Sequence, residues 1–112
     1  MSDHFLVLHL PEDASPDLFG PLLEMTTKTA HARATIRVLI QNPAVVQLTA
    51  KSTYLSQIED VLALPAVSIL ACERSVRQAG VVPEHLVDGV EMVSSSDFLA
   101  ETRWDRWVHV TL

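Results

Sequence analysis

The chain carries one thiol, Cys72, and its place in the sequence is suited to nucleophilic chemistry. It directly follows Ala66-Val67-Ser68-Ile69-Leu70-Ala71, an apolar run that reads as a buried strand. It directly precedes Glu73 to Ala79, a turn or two of helix closed by Gly80, a natural C-terminal cap. A sulfur at a helix start faces backbone N–H groups that have no partner in the helix. The positive end of the helix favours the thiolate, which is the attacking form. Arg74 and Arg77 are close enough in sequence to add positive field, and Glu73 works against it. Burial opposes ionisation, so a lowered thiol pKa calls for a site that is at least partly open. The competing reading makes Cys72 a small buried hydrophobe, a common fate for free cysteine.

Few other residues qualify. Ser94-Ser95-Ser96 precede a helical stretch and can bind an anion through hydroxyls and backbone N–H groups, or simply cap the helix. His9 ends an apolar run and can shuttle a proton, or bond to the backbone as a strand-end histidine. Asn42 follows a second such run. The five histidines show neither His-x-His nor His-x-x-x-His spacing and have no cysteine partners, so no metal motif exists. Three scattered glycines, Gly20, Gly80 and Gly89, make no phosphate loop, and no Gly-x-Ser-x-Gly elbow occurs. No cofactor is expected.

The positioning elements follow from periodicity and punctuation. Phe5 to Leu10 reads as a first strand stopped by Pro11. Ser15-Pro16-Asp17 reads as a short capped turn, and Pro21 to about His31 as a helix with Leu22, Leu23, Thr26, Thr29 and Ala30 facing inward. Thr35 to Ile40 is a β-branched second strand ended by Gln41-Asn42-Pro43. Ser52 or Thr53 can cap a second helix bearing Leu55, Ile58, Val61 and Leu62, stopped by Pro65. Val90 to Val93 reads as a fourth strand, the segment from Ser94 as a helix with Phe98 and Leu99, and Arg106 to Leu112 as a fifth strand. Repeated strand–helix–strand order with short connections predicts one α/β domain over residues 1–112. Its sheet has five mostly or wholly parallel strands between two helical layers. Such sheets gather chemistry beyond the carboxyl ends of their strands. That rule selects His9, Asn42, Cys72 and Ser94 to Ser96.

Bulk properties narrow the function. At 112 residues and 48% hydrophobic residues the chain builds one core without staples. A mean hydropathy of +0.23 leaves surplus apolar surface. That surplus and the cluster Trp104-Asp105-Arg106-Trp107 point to subunit contacts, with core packing of the tryptophans as the alternative. A formal net charge of −6 without Lys/Arg runs argues against nucleic acid. The longest apolar stretch is broken by Pro65 and Ser68 and is too short for a membrane. Met1-Ser2-Asp3-His4 offers no secretory leader, so the cytoplasm is the expected compartment.

With Cys72 in place, the second half resembles the DsrE/DsrF-like family of small sulfur-relay proteins. The resemblance rests on Ile69-Leu70-Ala71-Cys72-Glu73-Arg74-Ser75, then Gly80-Val81, then Leu86-Val87-Asp88-Gly89-Val90-Glu91-Met92-Val93-Ser94. It covers about residues 64 to 100; the first half agrees in segment order alone. It implies a flavodoxin-like three-layer α/β/α sandwich and assembly as a homo-oligomer: dimer, trimer or hexamer. It also implies a persulfide carried on Cys72, exchanged with donor and acceptor proteins. Asn42, Arg74, Ser75, Ser94, Ser95 and His9 are the expected binding residues around it. The chain departs from the family at Asp105-Arg106-Trp107 and at Gln41-Asn42-Pro43, where many relatives place glycine. Two functions follow: a sulfur carrier acting through Cys72, or a non-catalytic oligomeric binding module in which Cys72 is structural.

Overall fold

The computed structural model describes residues 4–103 and 106–112. Trp104 and Asp105 of the expected aromatic cluster lie outside the described residues. Five strands form one sheet: β1 (His4–Leu10), β2 (Ala34–Ile40), β3 (Val67–Cys72), β4 (Glu91–Val93) and β5 (Trp107–Thr111). Every pairing is parallel, in the order β4-β3-β2-β1-β5. Four helices connect them: α1 (Phe19–Ala30), α2 (Leu55–Leu62), α3 (Glu73–Gln78) and α4 (Ser95–Arg103). The expected α/β fold with helices on both faces is the fold observed.

The two faces are unequal. Leu8, Leu10, Ile36, Val38, Ile40, Ile69 and Ala71 point to one side and pack against Phe19, Leu22 and Leu23 of α1, Ile58 and Val61 of α2, and Val76 of α3. Alternation sends Val7, Leu39 and Leu70 to the other side, where Phe98 of α4 meets them. This second face is thinly covered. At its β1/β5 side Phe5 and Trp107 meet edge to face at 5.3 Å, and the Arg37 guanidinium lies 5.5 Å from the Trp107 ring centre. Trp107 thus packs half-buried on the sheet, as the core-packing reading expects.

Local chemistry sets the boundaries. Ser15 Oγ accepts from Asp17 N–H and opens a 3-10 turn, Pro16–Leu18, which runs directly into α1. α1 therefore starts two residues before Pro21. Proline is tolerated there because a first-turn N–H has no partner within the helix. Ser52 Oγ accepts from Tyr54 N–H just ahead of α2, as its type predicts. α3 ends in a Schellman motif: Val81 N–H donates to Val76 C=O, Gly80 N–H donates to Arg77 C=O, and Gly80 has φ +70°.

Strand order fixes where a site can form. The connections after β1, β2 and β3 run to helices on one face, whereas the connection after β4 runs to α4 on the other. Neighbouring strands β3 and β4 therefore send their chains apart. The crevice between their carboxyl ends is the topological switch point, the place where open parallel sheets bind ligands.

Candidate functional site

Cys72 ends β3 and is the N-cap of α3, with φ −65° and ψ 118°. Ser95 is the first residue of α4, immediately beyond β4. These two residues face each other across the switch point at 3.3 Å: the neutral thiol donates to Ser95 Oγ, and when the sulfur is ionised the Ser95 hydroxyl donates to it. The N–H groups of Arg74 and Ser75 are directed at the sulfur from the first turn of α3, without closing a full cap hydrogen bond. The Ser75 hydroxyl faces it as well.

This environment acts on the thiol in two directions. Burial, the largest influence, raises its pKa. The Ser95 hydroxyl, the Ser75 N–H and hydroxyl, and the Arg74 N–H stabilise the thiolate, and together they prevail, holding the pKa at about 7. A substantial fraction of Cys72 is therefore thiolate near neutrality.

Two expectations need correction. The sulfur was expected in a partly open site, yet Cys72 is 2% exposed. The opposing force was expected from the helix start together with Arg74 and Arg77; the helix-start amides supply part of it, as expected, but both arginine side chains are exposed and the rest comes from the Ser95 and Ser75 hydroxyls. Short dipoles aimed at an anion at hydrogen-bond distance act more strongly than cations screened by water. Arg74 contributes through its backbone.

The remaining predicted residues divide. Asn42 enters through its main chain: its N–H donates to Ser75 Oγ at 2.9 Å, which fixes that serine beside the sulfur. Ser94 bonds Ser96 at 3.4 Å on the surface and accepts Phe98 N–H as α4 begins, so it supports the helix start. His9 bonds the Gln41 side chain, Nε2 to Oε1 at 2.6 Å, instead of the backbone. It also lines a cleft of about 340 Å³ with Leu99, Arg103, His109 and Thr111. No group of three His, Cys, Asp or Glu that could hold a metal occurs among the described residues.

The sequence reading missed Gln41, which it treated as a strand terminator. Its side chain joins His9 to Ser95, with Gln41 Nε2 donating to Ser95 Oγ at 3.5 Å. A signal was present: Gln41 immediately follows β2, and alternation sets it on the face of Leu39, the face that α4 covers.

The chain matches no family model and no curated protein. Solved structures do match. A protein of unknown function from Methanobacterium thermoautotrophicum, MTH1491, superposes with a TM-score of 0.86 at 18% identity, covering 98% of this chain and 100% of its own. The ychN protein from E. coli superposes with a TM-score of 0.76 at 16% identity, covering 99% of this chain and 100% of its own. At such identities the likeness establishes a shared fold over the whole chain. It leaves the chemistry to the side chains at the switch point. No helix among the described residues is long and apolar enough to cross a membrane.

Proposed function

We propose that this chain is a sulfur carrier of the DsrE/DsrF-like kind, with Cys72 as the carrying residue. The observation that supports the reading is the convergence of Ser95, Ser75 and two backbone N–H groups on one sulfur, with a pKa of about 7. In the reaction, Cys72 thiolate attacks the outer sulfur of a donor persulfide. A new sulfur–sulfur bond forms on Cys72, the donor's bond breaks, and the donor leaves as a thiolate. Transfer to an acceptor thiolate repeats the step in reverse roles. Electrons balance at each step, so no redox cofactor takes part. Because Cys72 is 2% exposed, docking of the donor must open the cover over the sulfur for the attack to proceed.

The test is mass measurement after incubation with a low-molecular-weight persulfide. Wild-type protein is expected to gain one sulfur atom, about 32 Da, lost again to added thiol, and Cys72→Ser to gain none. Absence of the adduct in wild-type protein, with a thiol that alkylates only after denaturation, would overturn the reading.

One observation favours the binding module instead. A groove of about 750 Å³ lies away from Cys72, lined by Val46, Leu55, Val81, Val82, Leu86 and Val87 among others. Under that reading Cys72 is structural and the groove takes the ligand.

A further inference from the structure

Three hydrogen bonds run from the end of β1 to the thiol: His9 Nε2 to Gln41 Oε1 at 2.6 Å, Gln41 Nε2 to Ser95 Oγ at 3.5 Å, and Ser95 Oγ to Cys72 Sγ at 3.3 Å. The chain has a direction because an amide has two unlike ends. Its oxygen only accepts and its nitrogen only donates. With Oε1 toward His9, the imidazole carries a proton on Nε2. With Nε2 toward Ser95, the serine oxygen accepts there as it does from the neutral thiol, and once the thiol ionises its single proton is left for the sulfur. Reversing the amide would draw that proton to Gln41 and take a donor from the thiolate.

We propose that Gln41 is a positioning residue for Cys72: anchored by His9, its amide holds the Ser95 hydroxyl in the orientation that donates to the thiolate. The inference rests on Cys72 being the reacting group, and it adds a control on that group that the carrier reading does not require. Gln41 touches no sulfur and acts only through Ser95. His9 serves in any state that keeps a proton on Nε2. The charged and titratable groups that share its cleft are Arg103 of α4 and His109 of β5, and among the described residues no carboxylate lines it. Ser75 is held separately, by Asn42 N–H, so the relay sets one of two hydroxyl donors.

A double-mutant cycle tests this, read as the pH midpoint of Cys72 alkylation by iodoacetamide and of thiolate ultraviolet absorbance. Gln41→Met keeps the side-chain length and removes both ends of the amide. In the wild-type background it is expected to raise the midpoint and slow alkylation near neutrality several-fold. In a Ser95→Ala background the same change is expected to do nothing, since no hydroxyl remains to be oriented. Equal effects in the two backgrounds would mean that Gln41 acts by packing or field, and no effect in wild type would mean that it does not act. Either result overturns the proposal. If Gln41→Met does not fold, the isosteric Gln41→Glu replaces it. Its effect in the Ser95→Ala background then measures the added charge, and only the excess in wild type measures the relay; no excess overturns the proposal. Sulfur uptake is recorded on the same samples. A protein that shows the cycle but takes no sulfur overturns the carrier reading alone. One that takes sulfur without the cycle overturns the relay alone.

Discussion

Ser95 Oγ lies 3.3 Å from Cys72 Sγ although 23 residues of chain separate the two. Ser75, in the first turn of α3, reaches the same sulfur. Each serine has its oxygen engaged from the end of β2, Ser95 by the Gln41 side chain and Ser75 by the Asn42 backbone. Each is therefore left with a proton to offer the thiolate. The segment Gln41-Asn42 sets both donors.

Ser95→Ala removes the strongest side-chain donor to the thiolate while burial remains. The alkylation midpoint is expected to climb from about 7 toward the ordinary thiol value of about 8.5. Ser94→Ala, one residue away and directed elsewhere, is expected to leave it unchanged. Parallel alkylation-rate profiles against pH check the pair.

Ser75→Ala is expected to affect both stability and reactivity. Ser75 is fully buried, and its loss leaves the Asn42 N–H without its acceptor. An orphaned, half-buried amide costs about 1–3 kcal/mol, which denaturant unfolding would register. The thiol midpoint is expected to rise as well, because Ser75 faces the sulfur through both its hydroxyl and its N–H. Full stability together with a lost thiolate would show that Asn42 N–H finds another acceptor.

The lowered thiol pKa links stability to pH. In the unfolded chain the thiol titrates at about 8.5; in the folded protein it titrates at about 7. The folded state therefore favours the ionised form. The extra stability is fully present above the unfolded value and is lost as pH falls through the folded one. Wild-type protein is expected to gain on the order of 2 kcal/mol relative to Cys72→Ser between neutral pH and about pH 9. Chemical unfolding of both proteins across that window measures it, and parallel curves would contradict the assignment.

A homo-oligomer is expected from the apolar surface left on the monomer. Edge strand β5 exposes Val108 to 57% and Val110 to 38%, and Val46 and Val82 are exposed to 42% and 45%. Light scattering is expected to give a multiple of 12.4 kDa at micromolar concentration. If β5 is in the contact, Val108→Lys is expected to lower the mass. A monomeric mass for wild-type protein would contradict assembly.

Much of this molecule is written locally. Apolar runs at Phe5–Leu10, Thr35–Ile40 and Ala66–Ala71 bury on both sides, as strands between helical layers must, and each ends at proline or at a change to polar residues. Gly80 closes α3 because only a residue comfortable at φ +70° completes that cap. Cys72 falls at the end of β3 because the apolar run stops there. These features need only near neighbours, so the sequence alone determines the fold class and the position of the thiol.

What surrounds the thiol was decided by tertiary structure. Gln41 finds its partners 32 and 54 residues away, and Cys72 finds Ser95 on an element that begins two strand connections later. No periodicity encodes which polar side chains meet once the strands order as β4-β3-β2-β1-β5. The charges of Arg74 and Arg77 were legible in the sequence but point into water. The two serine hydroxyls, unremarkable in the sequence, are buried or half-buried beside the sulfur. Packing Phe98 onto Val7, Leu39 and Leu70 seats α4 on the sheet and sets Ser95 beside the sulfur. The covering that shuts out solvent raises the thiol pKa, and the hydroxyls and amides brought to the sulfur more than offset it, which is why a buried thiol here ionises near neutrality.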